Sequence, residues 1–479
     1  MGMKNAQRLL SMLEKAGFEA YIVGGAVRDI LLGKDPHDID IVTKARPEEV
    51  QEILAKAGVH CTDLVGKSFG VIVAKIEESS YEIATFRKER YGQDAHRPEV
   101  VTYADSLEED VQRRDFTING MAMNAFGNIV DYVGGQRDLK KKELRTIGKA
   151  EERFSEDALR LFRACRFLGQ LDLMAHPSLV EGMEGAFYRV RGLSLARVRQ
   201  ELEKLLLTPY VARGLDLLVR SGLANCECVQ VIKGERYMVP ILPELSHLVD
   251  LPQEAKFHRW DAWMHTLVAV SNTPPNLVER YGALFHDVAK GLPAIREVIN
   301  GRLTDRGHDT LGATMAEEIL IRLGYPKKFA ERVSWIVKDH MKFHYFANND
   351  EADAVKWMRK EARSGYFKST EDLKEAVASL SKVCVADVIA SGREHGSTAG
   401  TEAFGECLLE VLEGMPVHTK DLHYPKVLVE EAGENTRDVL AYLMKRVQDG
   451  AAVNEETALL ELGRRWLARR STSHQEAEC

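Results

Sequence analysis

The apolar positions of this chain change their period partway along it. Up to about residue 140 they come in short runs of strand length, Tyr21 to Val23, Val71 to Ile76, Tyr81 to Phe86 and Ile129 to Tyr132, separated by helical stretches. From Glu151 onward the spacing becomes three and four residues, as in Ala158 to Leu168 and Leu195 to Leu206, the stripe of a helix packed on a core. The pattern predicts an α+β head followed by all-α domains. Tyr237 to Pro252 contains prolines and reads as a connector. A second helical unit follows it, then a polar loop from Ser391 to Thr401, a last helical segment to about Arg470 and a frayed SHQEAEC end. At 479 residues the chain is too long for one core, and these breaks divide it into 1–145, 146–250, 251–395 and 396–479.

No apolar run approaches the ~18 residues of a membrane span, and Met1 to Glu19 is an amphipathic helix pattern without a signal-peptide core. A cytoplasmic protein is expected. Seven cysteines are scattered, and Cys226-Glu227-Cys228 has the wrong spacing for a zinc knuckle, so reduced thiols are expected. The formal net charge is −8, with basic runs at Arg137 to Arg145, Arg160 to Arg166, Arg189 to Arg199 and Arg464 to Arg470. Any nucleic-acid contact must therefore rest on uneven charge, since phosphate neutralisation supplies much of such affinity.

The densest chemistry lies in YIVGGAVRDILLGKDPHDIDIV, Tyr21 to Val42. Gly24-Gly25 leave the chain without Cβ atoms after a buried strand, so backbone N–H groups can approach a phosphate. Arg28 falls in the first turn of the short helix that follows, within reach of the same group, and Gly33 stops that helix. In His37 to Val42 polar and apolar residues alternate, which puts Asp38 and Asp40 on one strand face and Ile39 and Ile41 in the core. Two carboxylates so placed can hold a pair of Mg²⁺ ions for an in-line phosphoryl transfer. An isolated Asp-x-Asp or Gly-Gly is usually only a turn, but the three features together in this order favour the site. No Gly-x-x-x-x-Gly-Lys-Ser/Thr is present, so this is not a P-loop nucleotide site.

In its motifs the chain resembles the class II tRNA nucleotidyltransferases, the CCA-adding enzymes of the polymerase-β superfamily. The resemblance runs from the N-terminus to about residue 206: GGAVRD at 24–29, DID at 38–40, RRDFTIN at 113–119, the Gly134 to Leu139 turn, EDALRLFRACRF at 156–167 and SLARVRQELEKLL at 194–206. It implies a polymerase-β-type head followed by helical neck, body and tail. It also implies that Arg114, Asp157, Arg160, Arg163 and Arg166 contact the incoming nucleotide. Asp157 and Arg160, one turn apart on the expected helix 156–167, offer an acceptor and a forked donor to one base edge. Cytosine and adenine both pair an exocyclic amine with an unprotonated ring nitrogen and satisfy that edge; guanine and uracil do not. The competing reading is a plain i, i+3 salt bridge on an exposed helix. Glu82, Asp110 and Asp131 are alternatives for a supporting carboxylate, and Asn119 for a turn-fixing or a ligand role. Lys88 to Asp105 reads as a polar loop; the family uses a flexible loop there to pass from CTP to ATP. It is full length, so A-addition is expected; His96, where many relatives have arginine, departs from the family pattern.

A second constellation lies downstream: His265, His286-Asp287, His308, His340 and Asp387. The first two sit on apolar helical patterns, Trp263 to Val270 and Tyr281 to Lys290, so imidazoles and carboxylate can share one interior face. Imidazole with carboxylate suits Mn²⁺, Fe²⁺, Ni²⁺, Co²⁺ or Mg²⁺, as one ion or two. The order resembles the HD-type metal phosphohydrolases, a domain that some bacterial CCA-adding enzymes carry. His258, His344 and His423 have no such context.

The resemblance implies an enzyme that adds C, C and A to tRNA lacking its 3′ CCA end, from CTP and ATP, with release of pyrophosphate. Asp38 and Asp40 would hold Mg²⁺, and Gly25 and Arg28 the triphosphate. The HD-like domain would add a phosphohydrolase acting on 2′- or 2′,3′-cyclic phosphates. Two rivals remain: a bacterial poly(A) polymerase, and an HD-type phosphohydrolase whose head only binds RNA.

Overall fold

The computed structural model describes residues 2–36, 38–63, 70–92, 94–349, 353–393 and 397–477. It divides into two compact units, Met1–Ser246 and His247–Cys479.

The first unit opens with an amphipathic helix, α1 (Gly2–Lys15), whose Ala6, Leu9, Leu10 and Leu13 are buried. The head then runs β1 (Ala20–Val23), α2 (Gly25–Leu31), β2 (Asp40–Thr43), α3 (Pro47–Lys56), β3 (His60–Asp63), β4 (Val71–Ile76) and β5 (Ser79–Thr85). A hairpin, β6 (Arg87–Tyr91) with β7 (Pro98–Tyr103), precedes α4 (Leu107–Gln112), β8 (Ala122–Met123), β9 (Ile129–Val130) and α5 (Gly135–Lys140). Seven strands form one mixed sheet in the order β3-β4-β5-β2-β1-β8-β9. The parallel β2–β5 pair at its centre aligns Asp40 with Glu82. Val23, Val42, Phe86, Leu107, Val111 and Ile147 pack as its core.

The rest of the first unit is mostly helical: β10 (Glu143–Leu144), α6 (Ala150–Glu156), α7 (Leu159–Leu171), β11 (Met174–Ala175), α8 (Pro177–Glu181), α9 (Leu195–Leu206) and α10 (Val211–Arg220). A second hairpin, β12 (Glu227–Ile232) and β13 (Glu235–Pro240), ends the unit.

The second unit is α11 (Ala262–Ser271), α12 (Leu277–Phe285), the hairpin β14 (Arg296–Ile299) with β15 (Arg302–Asp305), α13 (His308–Arg322), α14 (Lys327–Ala347), α15 (Ala354–Ala362), α16 (Thr370–Ala390) and α17 (Ala399–Glu413), closed by α18 (Lys426–Ala432), α19 (Thr436–Gln448) and α20 (Glu456–Ala477). Short polar side chains start these helices: Asp261, Asn276 and Ser369 accept from Met264, Val278 and Asp372 backbone N–H. Among the described residues no helix is long and apolar enough to cross a membrane.

Several sequence expectations need correction. The strand expected over 37–42 begins only at Asp40; Asp38 lies in the bend before it, and His37 lies outside the described residues. Lys88 to Asp105 is not a loop but largely the β6–β7 hairpin, with Gln93 outside the described residues. Its half-buried face is polar: Glu89 takes Arg87, Tyr91 and Arg113 at 2.9, 2.7 and 2.9 Å, so hydropathy carries no trace of the strand. The expected connector Tyr237 to Pro252 begins inside β13, which reverses through Lys233 and Gly234, both at positive φ. The helix expected over 156–167 breaks at Asp157 and restarts at Leu159, and the one expected to reach Lys290 stops at Phe285. The polar stretch 391–401 gives way to α17 at Ala399, with 394–396 outside the described residues. The end expected to fray continues α20 to Ala477, and residues 478–479 lie outside the described residues.

Where α7 and α10 cross, Gly214 lets the backbones meet: a Cβ there would lie 2.2 Å from the Cys165 carbonyl oxygen and 2.4 Å from Leu205 Cδ1. Gly214→Ala is therefore expected to cost about 1–3 kcal/mol through overpacking. Thermal unfolding of the full chain checks this, as a lowered midpoint for the transition of the first unit.

Candidate active site and metal centre

The β1–α2 turn is shaped by Gly24, at φ +72° and ψ −136°, a conformation closed to residues with a Cβ. A Cβ on Gly25 would sit 3.3 Å from a guanidinium nitrogen of Arg28, and one on Gly24 3.6 Å from Arg114. The two glycines thus lie directly beneath two arginines. Gly25, Arg28, Asp38, Asp40, Arg114, Asp157, Arg160, Arg163 and Arg166 all line one cleft of about 740 Å³. The nine residues given a metal or nucleotide role by the sequence are thus brought together.

Their partners explain how so many cations share one cavity. Arg28 donates to Asp29 at 2.9 Å and to Asn119 at 2.8 Å, and Asn119 in turn donates to Asp115 at 3.1 Å. Asp115 also receives Arg163 at 3.0 and 2.5 Å; against its burial, that guanidinium pulls the carboxyl down to about 2. Asp110, fully buried, takes Arg114 at 3.0 Å and Arg113 at 2.9 Å, and these arginines hold its carboxyl low against desolvation. Arg166 donates to Glu201 at 2.7 Å. The guanidinium groups of Arg28, Arg163 and Arg166 lie 5.5, 5.4 and 4.3 Å from the centre of one ring, Phe167.

At the mouth, acids face acids. Burial raises the Asp40 carboxyl, the Arg114 cation opposes this, and Asp38 raises it further. Glu82, across the strand pair, is raised by burial and then by Asp40 and Asp38. Of the alternatives left by the sequence, Glu82 is the carboxylate that faces this pair. Asp110 is taken up by arginines, and Asp131 caps a turn by accepting from Gly135 and Gln136 at 3.0 and 2.9 Å. An all-oxygen set whose members disfavour one another's charge suits a hard divalent cation such as Mg²⁺.

Asp157 and Arg160 do not share a helix turn as expected, because Asp157 has the extended backbone that ends α6. Their side chains make no i, i+3 ion pair; instead the Arg160 backbone N–H donates to the Asp157 carbonyl at 3.0 Å. Asp157 meets His96 of the β6–β7 turn at 2.8 Å and caps Leu159 N–H at 3.0 Å. Arg160 donates to Glu156, the Arg153 carbonyl and the Arg113 carbonyl at 3.0, 3.1 and 2.8 Å. Three of its five N–H donors are taken in this way.

In the second unit all six expected residues converge, from α11 (His265), the turn after α12 (His286, Asp287), the start of α13 (His308), α14 (His340) and α16 (Asp387). They form two triads, His265–His286–Asp387 and Asp287–His308–His340, with ligand atoms in each within 4.8 Å of one another. Asp287 spans both: one oxygen lies 3.2 Å from His286 and the other 3.2 Å from His308. The tautomers are fixed from outside. Nδ1 of His286, His308 and His340 lies 2.7, 2.7 and 2.6 Å from the carbonyls of Ala283, Asp305 and Val337, which can only accept. Their Nε2 atoms therefore carry lone pairs when neutral, yet His308 and His340 Nε2 face each other at 3.3 Å; His286 Nε2 lies 3.1 Å from His265 Nε2, which is itself 3.0 Å from Asp387. A cation between them resolves this opposition, and such N···N separations match ligands about 2.1 Å from one ion. Left to protons alone, the charge divides unevenly. Against desolvation, Asp287 and Asp387 push His286 up to about 9, while burial and the neighbouring His308 and His286 drive His340 well below its ordinary value.

Sequence reasoning missed three members. His344 meets Asp387 at 2.8 Å, Lys290 meets Asp287 at 2.7 Å, and His258 packs edge-on against His265 at 4.9 Å. His344 is four residues after His340, one turn along the same helix, and Lys290 three after Asp287; that spacing was the available signal. The C-terminal basic run is self-neutralised: Arg464 pairs with Glu431, Arg465 with Glu461 and Arg470 with Asp438.

The Asp115–Arg163 pair sets an acid limit on the head. Because the folded carboxyl lies near 2 and the ordinary value is 3.8, the stabilisation is complete above about pH 4 and is lost as pH falls through 2. Asp115→Asn is expected to lose about 2 kcal/mol at pH 7 and to flatten the acid limb of stability between pH 4 and 2. Unfolding midpoints of wild type and variant across that range are the measurement.

Three family models match the chain: "Poly A polymerase head domain" over residues 20–145, "Probable RNA and SrmB- binding site of polymerase A" over 172–226, and "HD domain" over 273–390. The CCA-adding enzyme of Lactobacillus johnsonii is 40% identical over 238 residues, half of this chain and 58% of the relative. That of Geobacillus thermodenitrificans is 42% identical over 232 residues, 48% of this chain and 56% of the relative. The chain thus spans little more than half the length of these curated relatives. In fold it is similar to the Bacillus stearothermophilus CCA-adding enzyme in complex with CTP, with a TM-score of 0.66, 24% identity and 99% of each chain covered. The Thermotoga maritima CCA-adding enzyme complexed with tRNA gives a TM-score of 0.58 at 19% identity, covering 97% of this chain and 95% of that one. Over its first half the chain is thus similar to CCA-adding enzymes in sequence, its fold is similar to theirs over nearly its whole length, and residues 273–390 match the HD domain model.

Proposed function

We propose that the chain adds C, C and A to the 3′ end of tRNA lacking them, using CTP and ATP and releasing pyrophosphate. What supports this best is that Asp38 and Asp40, a glycine turn under arginines, and Asp157 with Arg160 all line one cleft, with Glu82 registered beside Asp40 on the neighbouring strand. In this reading residues 1–145 are the catalytic head, 146–250 the neck and body, 251–395 the HD-type domain and 396–479 the tail. Asp38 and Asp40 would hold Mg²⁺, with Glu82 beside them. Bound there, the ions would supply charge neutralisation for the attacking hydroxyl and the leaving pyrophosphate. The backbone at Gly25 and the side chain of Arg28 receive the triphosphate, with Arg114, Arg163 and Arg166 around it. Asp157, steadied by His96, accepts from the exocyclic amine of cytosine or adenine, and the spare N–H donors of Arg160 reach the ring nitrogen. The protein itself then serves as template, and the work would be done in the cytoplasm.

Asp38→Asn or Asp40→Asn is expected to abolish addition while leaving tRNA affinity nearly unchanged. The assay is incubation of tRNA lacking its 3′ end with each labelled nucleotide in turn. Long A tails in place of a three-nucleotide product would select the poly(A) polymerase reading, and near wild-type addition by the double variant would sink the site.

The paired triads support a second activity, hydrolysis of small phosphoesters such as 2′- or 2′,3′-cyclic phosphates. The donors suit two divalent ions, with Asp287 able to serve both; Mn²⁺, Co²⁺, Ni²⁺, Fe²⁺ and Mg²⁺ all accept such ligands. Ions held there would supply a hydroxide near neutral pH. Lys290 balances Asp287, and His344 orients Asp387. Metal analysis of the purified chain is expected to find two transition-metal ions per chain, one in His308→Ala, and none in His286→Ala with Asp287→Ala. CCA addition should survive in all three. A wild type that takes up no metal would return these histidines to the core.

A further inference from the structure

Two aromatic rings line the first-unit cleft. Phe167 gathers Arg28, Arg163 and Arg166, whereas Tyr91, the last residue of β6, lies against Arg160, whose guanidinium carbon is 5.7 Å from the centre of its ring. The register of β6 on β7 slips at this point, since Arg90 pairs with Val100 but Tyr91 with Pro98. A slip of this kind re-aims a side chain. The ring is also fastened at its far end: its hydroxyl donates to Glu89 at 2.7 Å, and the other oxygen of Glu89 takes Arg87 and Arg113, both at 2.9 Å. Burial pushes the Tyr91 hydroxyl above its ordinary range, so it stays a donor. Against its own burial, the Glu89 carboxyl is held low by Arg113, the Tyr91 hydroxyl and Arg87, so it stays an acceptor. Glu89 thus touches two supports of Arg160, the Tyr91 ring and Arg113, whose carbonyl accepts from Arg160 at 2.8 Å.

Hydrogen bonds to Glu156 and to the Arg153 and Arg113 carbonyls act in the plane of the Arg160 guanidinium, while a ring against its face opposes tilting out of that plane. We propose that Tyr91, anchored on Glu89, is a specificity-determining positioning residue whose ring holds the Arg160 fork at the tilt that meets the unprotonated ring nitrogen of cytosine or adenine. This rests on the base-reading role proposed above for Arg160. A fork free to tilt can donate instead to a carbonyl of uracil or guanine, so loss of the ring admits the wrong bases before it stops the chemistry.

The test measures kcat/KM of the full chain for CTP and for UTP in addition to tRNA lacking its 3′ end. Tyr91→Ala is expected to lower the preference for CTP over UTP roughly three- to thirtyfold, the span of one partly desolvated cation–π contact, chiefly by improving the use of UTP. Tyr91→Leu, closer in volume, carries the same test if Tyr91→Ala does not fold. Tyr91→Phe, which keeps the ring but frees it from Glu89, should fall between wild type and Tyr91→Ala; a Phe variant equal to wild type would overturn the part given to Glu89. In an Arg160→Ala background Tyr91→Ala should change the preference no further, because the ring acts through that side chain. An additive loss there, or slower use of CTP and UTP alike with the preference intact, would overturn the proposal and leave the ring a packing residue of the hairpin. An Arg160→Ala chain that prefers CTP as strongly as wild type would remove base reading by Arg160, and this proposal with it.

Discussion

Everything in the first unit depends on holding arginines close together without letting them repel one another apart. Arg28, Arg114, Arg160, Arg163 and Arg166 line one cleft, and each has its own carboxylate: Asp29, Asp110, Glu156, Asp115 and Glu201. Removing such a carboxylate leaves a buried cation uncompensated, which costs far more than a surface pair is worth. The carboxylates come from different elements, so the cleft exists only when head and neck helices are packed. Asn119, between Arg28 and Asp115, ties the glycine turn to α7 through one side chain. The result is a cavity preorganised for a polyanion, with its cations already oriented.

The second unit solves the opposite problem. There, lone pairs rather than positive charges are concentrated, because backbone carbonyls at three helix or turn positions fix the imidazoles with Nε2 facing inward. A buried site of facing acceptors is unfavourable without a cation, and with one it becomes stable and directional. Both units thus store an electrostatic imbalance that a ligand of opposite sign relieves. The first cleft gathers guanidinium donors that an anion can engage, while at its mouth, where Asp38, Asp40 and Glu82 raise one another, and in the second unit, the charge called for is positive.

Legibility followed chemistry more than geometry. The glycine pair, Asp38, Asp40 and the His-Asp pair could be read because their spacing is local: a turn, two carboxylates one residue apart, a dipeptide. The β6–β7 hairpin could not, because its inward face is built from Arg87, Glu89 and Tyr91 rather than from apolar residues. Asp157 and Arg160 were legible as a pair but not in their geometry, since a helix restart at Leu159 leaves no mark in a sequence that is helical in pattern on both sides. His344 was unreadable as a partner of Asp387 across a 43-residue separation.

By itself the sequence determined which residues could do chemistry and the change from an α+β head to helices, because both are written in residue type and short-range period. Tertiary structure decided among equals. Glu82, Asp110 and Asp131 are the same kind of side chain in the sequence; only strand register places Glu82 opposite Asp40, while burial gives Asp110 to the arginines and a turn claims Asp131. Likewise six scattered histidines and aspartates became two triads only when α11 to α16 packed together. Distances between segments far apart in the chain are fixed by how those segments pack, and no local pattern contains them.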